Sequence, residues 1–213
     1  TTNYEGCWAV YMFPSGKIIA SDISTGLYVL KTSCNIKLAI EGLYDNVLNK
    51  HNIKDTVTAY LRNVTSPYAV IDSSREVIDN VTLTGNFKFN KALSGTYYIS
   101  VRHRNSIETW SSSIVNYVAG NIVNYNFNSS LTQAFGSNMI QVDTSPVRFA
   151  IYSGDINQDG TIDASDVSSV DNDAYNSLSG YVNTDVTGDD FVDAQDVSIV
   201  DNNAFNSVSV ITP

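Results

Sequence analysis

Over most of the first 150 residues, apolar and polar positions alternate with a period of two. Ile36, Leu38 and Ile40 alternate with Lys37 and Ala39; Val57, Ala59 and Leu61 with Thr56, Thr58 and Tyr60; Phe87 and Phe89 with Asn86, Lys88 and Asn90. Successive side chains of a strand leave opposite faces, so this spacing buries one face and gives the other to solvent. Further β-rich runs cover 97–103, 107–111, 114–118, 122–127 and 147–152, separated by Gly, Asn and Ser turns. Short strands at that spacing predict a mainly β chain with an antiparallel β-sandwich over residues 34–152.

Residues 1–33 precede it as a β extension. Cys7-Trp-Ala-Val-Tyr-Met-Phe13 is apolar and aromatic, turns at Pro14-Ser-Gly16 and resumes with Lys17-Ile-Ile-Ala20. Two readings stay open: a hairpin in this chain's own sheet, or a strand that pairs with an exposed edge on a neighbouring subunit. Within the sandwich, Gly85-Asn-Phe87-Lys-Phe89 followed by Gly95-Thr-Tyr97 and an alternating run to His103 resembles the paired strands of transthyretin-like, carboxypeptidase-regulatory-like modules.

The pattern changes at position 153, where the chain becomes rich in Asp. Asp155-Ile-Asn-Gln-Asp-Gly-Thr-Ile-Asp-Ala-Ser-Asp166 and Asp185-Val-Thr-Gly-Asp-Asp-Phe-Val-Asp-Ala-Gln-Asp196 are two versions of one twelve-residue loop. Calcium takes six to eight oxygen ligands, and a loop with oxygens at positions 1, 3, 5, 7, 9 and 12 surrounds one ion. The candidate ligands of the first ion are Asp155, Asn157, Asp159, the Thr161 carbonyl, Asp163 and Asp166, with Gly160 at the sharp turn. For the second ion they are Asp185, Thr187, Asp189, the Phe191 carbonyl, Asp193 and Asp196. Thr187 replaces an amide and Asp190 stands where the first loop has glycine, so the second site is expected to bind more weakly. Both loops end in Asp where the usual EF-hand has Glu.

The similarity runs beyond the ligands. Asp-Val-Ser-Ser-Val-Asp-Asn-Asp-Ala-Tyr-Asn-Ser, from 166, returns as Asp-Val-Ser-Ile-Val-Asp-Asn-Asn-Ala-Phe-Asn-Ser, from 196. This duplicated loop and its continuation resemble the type I dockerin, over about residues 153–210. The resemblance implies a small α-helical, EF-hand-like module over 153–213 that folds around two calcium ions. It also implies a cohesin-like partner, met through Ala164, Ser165, Asp171, Asn172 and Asn176, and through Ala194, Gln195, Asp201, Asn202 and Asn206. Dockerin helices carry Leu and Lys or Arg after the loop, whereas this tail has Asp-Asn pairs and no base, a departure that speaks against ordinary cohesin binding.

Charge follows the same boundary. Residues 1–148 hold all 12 Lys and Arg against 10 acidic residues, whereas residues 149–213 hold 12 Asp and no base. So many carboxylates in a small module repel unless cations sit among them, so metal binding is expected to supply much of its folding free energy. A net charge of −10 excludes a nucleic-acid footprint. No apolar run approaches the roughly 20 residues that span a bilayer. No signal peptide is evident, as expected of a processed, exported bacterial protein whose loops fill at extracellular calcium. Cys7 and Cys34 are the two cysteines, and either one disulfide or two buried thiols fits them. No linker rich in Pro, Ser or Gly precedes Asp155, so the module is expected to be held close to the sandwich, its acidic face against upstream bases.

Catalytic signatures are missing. His51 and His103 have no zinc-type partner at ligand spacing and read as surface residues, and no nucleophile elbow or phosphate loop occurs. Trp8 and Trp110 invite a carbohydrate-binding reading, with Trp110 exposed at the polar end of a strand. The leading expectation is a secreted, non-catalytic, calcium-binding structural protein that self-assembles into a surface structure such as a filament. A cohesin-binding adaptor and a carbohydrate-binding module are the alternatives.

Overall fold

Strands form where the alternation is strongest. In the computed structural model, which describes residues 7–13, 18–22, 25–30, 33–118 and 121–213, β1 (Cys7–Met12), β2 (Ile18–Asp22) and β3 (Gly26–Leu30) pair antiparallel as one sheet. The N-terminal hairpin is thus part of a three-stranded meander and does not add to the main sheets; its Pro14-Ser-Gly16 turn lies outside the described residues.

The β region continues with β4 (Ser33–Lys37), β5 (Tyr44–Asp45), β6 (Lys50–His51), β7 (Asp55–Arg62), β8 (Val70–Ile78), β9 (Thr84–Phe87) and β10 (Gly95–His103). After these come β11 (Thr109–Trp110), β12 (Val115–Tyr117), β13 (Ile122–Asn126), β14 (Ile140–Thr144) and β15 (Val147–Ala150). One sheet runs β11-β10-β7-β8, all antiparallel, with β12 also on β10. A second runs β13-β4-β9, in which β13 and β4 are parallel. That pair departs from the all-antiparallel expectation because the chain reaches β13 from β4 through a long excursion, which a parallel pairing requires.

The two sheets share one core. Val57, Ala59, Leu61, Ile99 and Val101 from the first meet Cys34, Ile36, Phe87 and Tyr125 from the second, with Phe127 just beyond β13. Burying each large apolar side chain stabilises the fold by roughly 1.5–3 kcal/mol. Strand β7 keeps the sequence pattern fully, with Asp55, Val57, Ala59 and Leu61 buried and their neighbours partly exposed. Strand β8 inverts it: polar Asp72 and Ser74 point inward while Val70, Ile71 and Val77 are exposed. Asp72 is retained inside because its carboxylate accepts the N–H groups of Lys91 (2.5 Å) and Ala92 (2.9 Å), which would otherwise be orphaned.

Two helices complete the chain, α1 (Ala164–Tyr175) and α2 (Ala194–Phe205). Each starts at an Asp N-cap, Asp163 or Asp193, with a capping box closed by Asp166 or Asp196. Each ends in the same way: Ser177 and Ser207 take φ of 51° and 53°, and the next N–H turns back to the carbonyl of Asp173 or Asn203. Twelve-residue helices without packing are marginal in water. Here Val170 and Val200 hold them in a small core with Ile162, Val186, Val192 and Val208, and Ile107 of the β region inserts into it.

Candidate metal loops and their seat on the β region

The two loops preceding these helices fold alike. In the first, Asn157 Oδ1 accepts the Asp159 N–H (2.8 Å), Asp159 Oδ1 the Thr161 N–H (3.0 Å) and Asp163 Oδ1 the Ser165 N–H (2.7 Å). The second repeats this at Asp189, which accepts the Phe191 N–H (3.0 Å), and at Asp193, which accepts that of Gln195 (2.7 Å). Asp166 takes the N–H groups of Ile156, Asn157 and Asp163, and Asp196 those of Val186, Thr187 and Asp193. Gly160 and Asp190, at the sixth position, have φ of 93° and 75°. Such Asx turns curl each loop tightly on itself.

Charge is concentrated inside this curl. Asp155, Asp166, Asp185 and Asp196 are buried, at 1, 0, 1 and 0% exposure. Asp155 Oδ1 is buried with no hydrogen-bond partner. Burial, reinforced by Asp166 and Asp159, pushes the Asp155 carboxyl up to about 6. Burial likewise pushes Asp185 up, against the lowering effect of the Gly188 and Asp190 N–H groups. A buried carboxylate oxygen with nothing to accept costs free energy that a cation would recover. Calcium fits this donor set, which is entirely oxygen, includes Asn157, Thr187 and two backbone carbonyls besides the carboxylates, and lacks sulfur and imidazole. Among the described residues, no three His, Cys, Asp or Glu side chains are grouped as a ready-made metal site.

The C-terminal region is seated firmly. Arg102 donates to Gln158 Oε1 (2.8 Å) and Gln158 O (2.7 Å) in the first loop. Arg104 donates to the carbonyls of Val182 and Asp185, and Asn105 Nδ2 to those of Asn183 and Asp185. The bases upstream therefore grip backbone carbonyls and an amide, and among the described residues they form no ion pair with the acidic side chains that charge complementarity suggested. Asn52 donates to Thr187 O (2.8 Å), and a Cβ on Gly188 would come within 2.7 Å of Leu43 and 2.9 Å of Ile53. From α2, Asn203 Nδ2 donates to Glu41 Oε2 (2.7 Å) and Ser153 O (2.8 Å). Burial pushes the Glu41 carboxyl up to about 7, although the Ser153 N–H and Asn203 amide oppose it.

Other candidate residues fall differently from expectation. His51 and His103 are buried, not surface residues. One nitrogen of each ring is satisfied, His51 Nε2 by the Ile40 N–H (3.1 Å) and His103 Nδ1 by the Ser106 hydroxyl; His103 Nε2 stands 3.0 Å from Asp55 without a hydrogen bond, and His51 Nδ1 is buried with no partner. Burial lowers both, His51 to about 3. Burial also raises Asp55, but its contacts with His103, Tyr181 and Arg104 outweigh it and hold the carboxyl below its usual range. Ser106 Oγ lies 3.2 Å from His103 Nδ1, which completes a Ser-His-Asp series. Ser106 is fully buried, so no substrate carbonyl reaches it. Trp110 is also buried, 4% exposed, under the Arg62 guanidinium at 4.5 Å, and offers no sugar-stacking face. Trp8 has its side chain outside the described residues. Cys34 is a free, fully buried thiol, its pKa pushed up to about 12 by burial, and the side chain of Cys7 lies outside the described residues.

The partner positions Ala164, Ser165, Asp171, Asn172, Asn176 and their counterparts Ala194, Gln195, Asp201, Asn202, Asn206 are all exposed. Two aromatic residues absent from the sequence reading join them, Tyr175 and Phe205, at 89 and 88% exposure. Their signal was available, since they occupy equivalent places in the two copies.

No family model matches this chain, and no curated protein does. Two similar solved chains come from crystal structures of a type II cohesin–X-dockerin complex from Acetivibrio cellulolyticus, one an N-terminal and one a C-terminal interface mutant. Each is 15% identical and covers 82% of this chain and 94% of its own, with TM-scores of 0.43 and 0.42. Likeness at that level assigns neither fold nor function. No helix among the described residues is long and apolar enough to cross a membrane.

Proposed function

We propose that this chain is a secreted, non-catalytic structural protein, a β-sandwich joined rigidly to a dockerin-like module that binds two calcium ions, and a subunit of an extracellular bacterial assembly such as a filament. The observation that carries the calcium reading is Asp155, buried at the first position of its loop with an oxygen that no donor meets. Asp155, Asn157, Asp159, the Thr161 carbonyl, Asp163 and Asp166 would hold one ion; Asp185, Thr187, Asp189, the Phe191 carbonyl, Asp193 and Asp196 the other. Bound calcium supplies the positive charge that a module with 12 Asp and no base lacks.

Calorimetric titration with calcium tests this. The wild type takes up two ions, and Asp155→Ala and Asp185→Ala each lose one; equal heats in all three refute the ligand assignment.

Assembly is supported by the apolar surface of the N-terminal sheet, where Val10 and Leu27 are 66 and 65% exposed and Tyr11 and Tyr28 are exposed beside them. Strand pairing between copies, or docking of the calcium module onto a neighbour, would cover such a surface. Electron microscopy in calcium and in chelator decides it: ordered polymers in calcium are expected, and monomers under both conditions at high concentration would sink the idea. The adaptor reading keeps one observation in its favour, the matching exposure of Ala164, Ser165, Asp171 and Asn172 with Ala194, Gln195, Asp201 and Asn202. A calcium-dependent complex with a cohesin would decide for it.

A further inference from the structure

The outer face of the main sheet carries a row of side chains of which Arg102 alone is engaged by a calcium loop. Thr58 on β7 lies opposite Arg75 on β8 and opposite Arg102 on β10, so a hydroxyl is flanked by two arginines across three adjacent strands. Directly cross-strand neighbours stand about 5 Å apart at Cβ, which brings both guanidinium groups within reach of one small ligand. Next to this row, Thr56 and Arg104 line the same cavity, and Gln158 and Tyr181 from the C-terminal region border it. The cavity measures about 170 Å³.

Its donors outnumber its acceptors. Arg102 uses Nε and one NH2 bond on Gln158, and Arg104 uses Nε on Asp55 and its terminal nitrogens on two loop carbonyls, with the Tyr181 ring 4.5 Å from its guanidinium. Each keeps further N–H groups, since a guanidinium has five. Arg75 makes no hydrogen bond or ion pair among the described residues, and neither Thr56 nor Thr58 makes a hydrogen bond through its hydroxyl there. No carboxylate lines the cavity; those its arginines engage lie outside the lining, Asp55, buried and already held by Arg104 and Tyr181, and the loop residues Asp155 and Asp185, which feel the charge of Arg102 and Arg104. On a chain with a net charge of −10, this is a local excess of positive charge with unfilled donors.

We infer that this cavity, at the seam between the main sheet and the C-terminal region, is a binding site for a small tetrahedral oxyanion, a sulfate or phosphate group. Donors arrive from three strands and from more than two directions, which suits four oxygens better than the two of a carboxylate. The two threonine hydroxyls in the lining supply neutral donors, and Arg75 supplies a charge that no carboxylate pairs with among the described residues. The ligand is either a free ion or the ester group of a larger molecule such as a sulfated sugar.

The experiment is calorimetric titration of the full chain, in saturating calcium and at fixed chloride ionic strength, with inorganic sulfate, inorganic phosphate and galactose 6-sulfate. Saturable binding of at least one is expected, weakened tenfold or more in Arg75→Gln, partly restored in Arg75→Lys and unchanged in Lys54→Gln, a lysine paired with Asp79 away from this cavity. Tighter binding of the ester than of inorganic sulfate identifies a larger ligand, and the reverse identifies the free ion. Arg75 is exposed, so its substitution leaves the fold in place. Absence of saturable binding for all three, or equal affinity in wild type and Arg75→Gln, overturns the inference.

Discussion

The two loop-and-helix copies are alike in fold and related in sequence, and they differ in where they sit. Ile156, Asn157 and Gln158 of loop 1 are partly or fully exposed, whereas their equivalents Val186, Thr187 and Gly188 in loop 2 are buried; Asp159, Thr161 and Asp163 and their equivalents Asp189, Phe191 and Asp193 are exposed in both. Helix α2 turns Asn203 onto Glu41 and Ser153, whereas its counterpart Asp173 stays within the C-terminal region and accepts the Thr184 hydroxyl (2.7 Å). At two of the positions where the copies differ, Gly188 against Gln158 and Asn203 against Asp173, the residue in the second copy fits what lies across the seam.

Exchanging those residues breaks the comparison. Gly188→Gln copies loop 1 into loop 2 and drives a side chain into Leu43 and Ile53; with its φ of 69° the cost is roughly 3 kcal/mol or more. The reverse change, Gln158→Gly, removes the two Gln158 side-chain bonds to backbone carbonyls and the one from Arg102, and is expected to cost about half as much. Chemical denaturation in calcium measures both, and equal losses would mean that the second loop is not seated.

Asn203→Asp makes α2 resemble α1, removes two donors and sets a second carboxylate against Glu41. A loss of about 2–3 kcal/mol is expected, against about 1 kcal/mol for Asp173→Asn. Comparable losses in the two variants would show that the seam does not distinguish the helices.

Glu41 sharpens the same contrast through pH. Its folded-state value of about 7 lies above the ordinary 4.5, so the folded protein holds this proton more tightly than the unfolded chain does. The contribution is fully present below about pH 4.5 and is lost as pH rises to about 7, a decline of roughly 2 kcal/mol after allowance for partial exposure. In saturating calcium, Glu41→Gln should flatten that slope; an unchanged slope would assign it elsewhere. The smallest effect is expected from Asp190→Gly, which relieves a side chain at φ 75° and should stabilise loop 2 by about 0.5 kcal/mol in a thermal melt. Destabilisation instead would show that the Asp190 side chain contributes an interaction of its own.

Much of this molecule was legible before folding. Alternation located β7 and β10 closely, and the hydrogen-bonded turns of both loops fall where the twelve-residue pattern puts them. Strand β8 was illegible because its inward positions are Asp72 and Ser74, polar residues that only a neighbouring backbone can satisfy. The histidines and Trp110 were misplaced for a related reason: polarity along the chain says nothing about an Asp55 or an Arg62 brought in from elsewhere. Sequence alone determined the local units, since a period of two, an Asp N-cap and an Asx turn each depend on residues a few positions apart. Tertiary structure alone decided their surroundings: the parallel pairing of β4 with β13, the burial of Asp155 and His103, the seat of loop 2 on Leu43 and Ile53, and the row of Arg75, Thr58 and Arg102. Each depends on which distant segment supplies the other half of a contact, and burial changes the energy of a charge far more than its neighbours in sequence can.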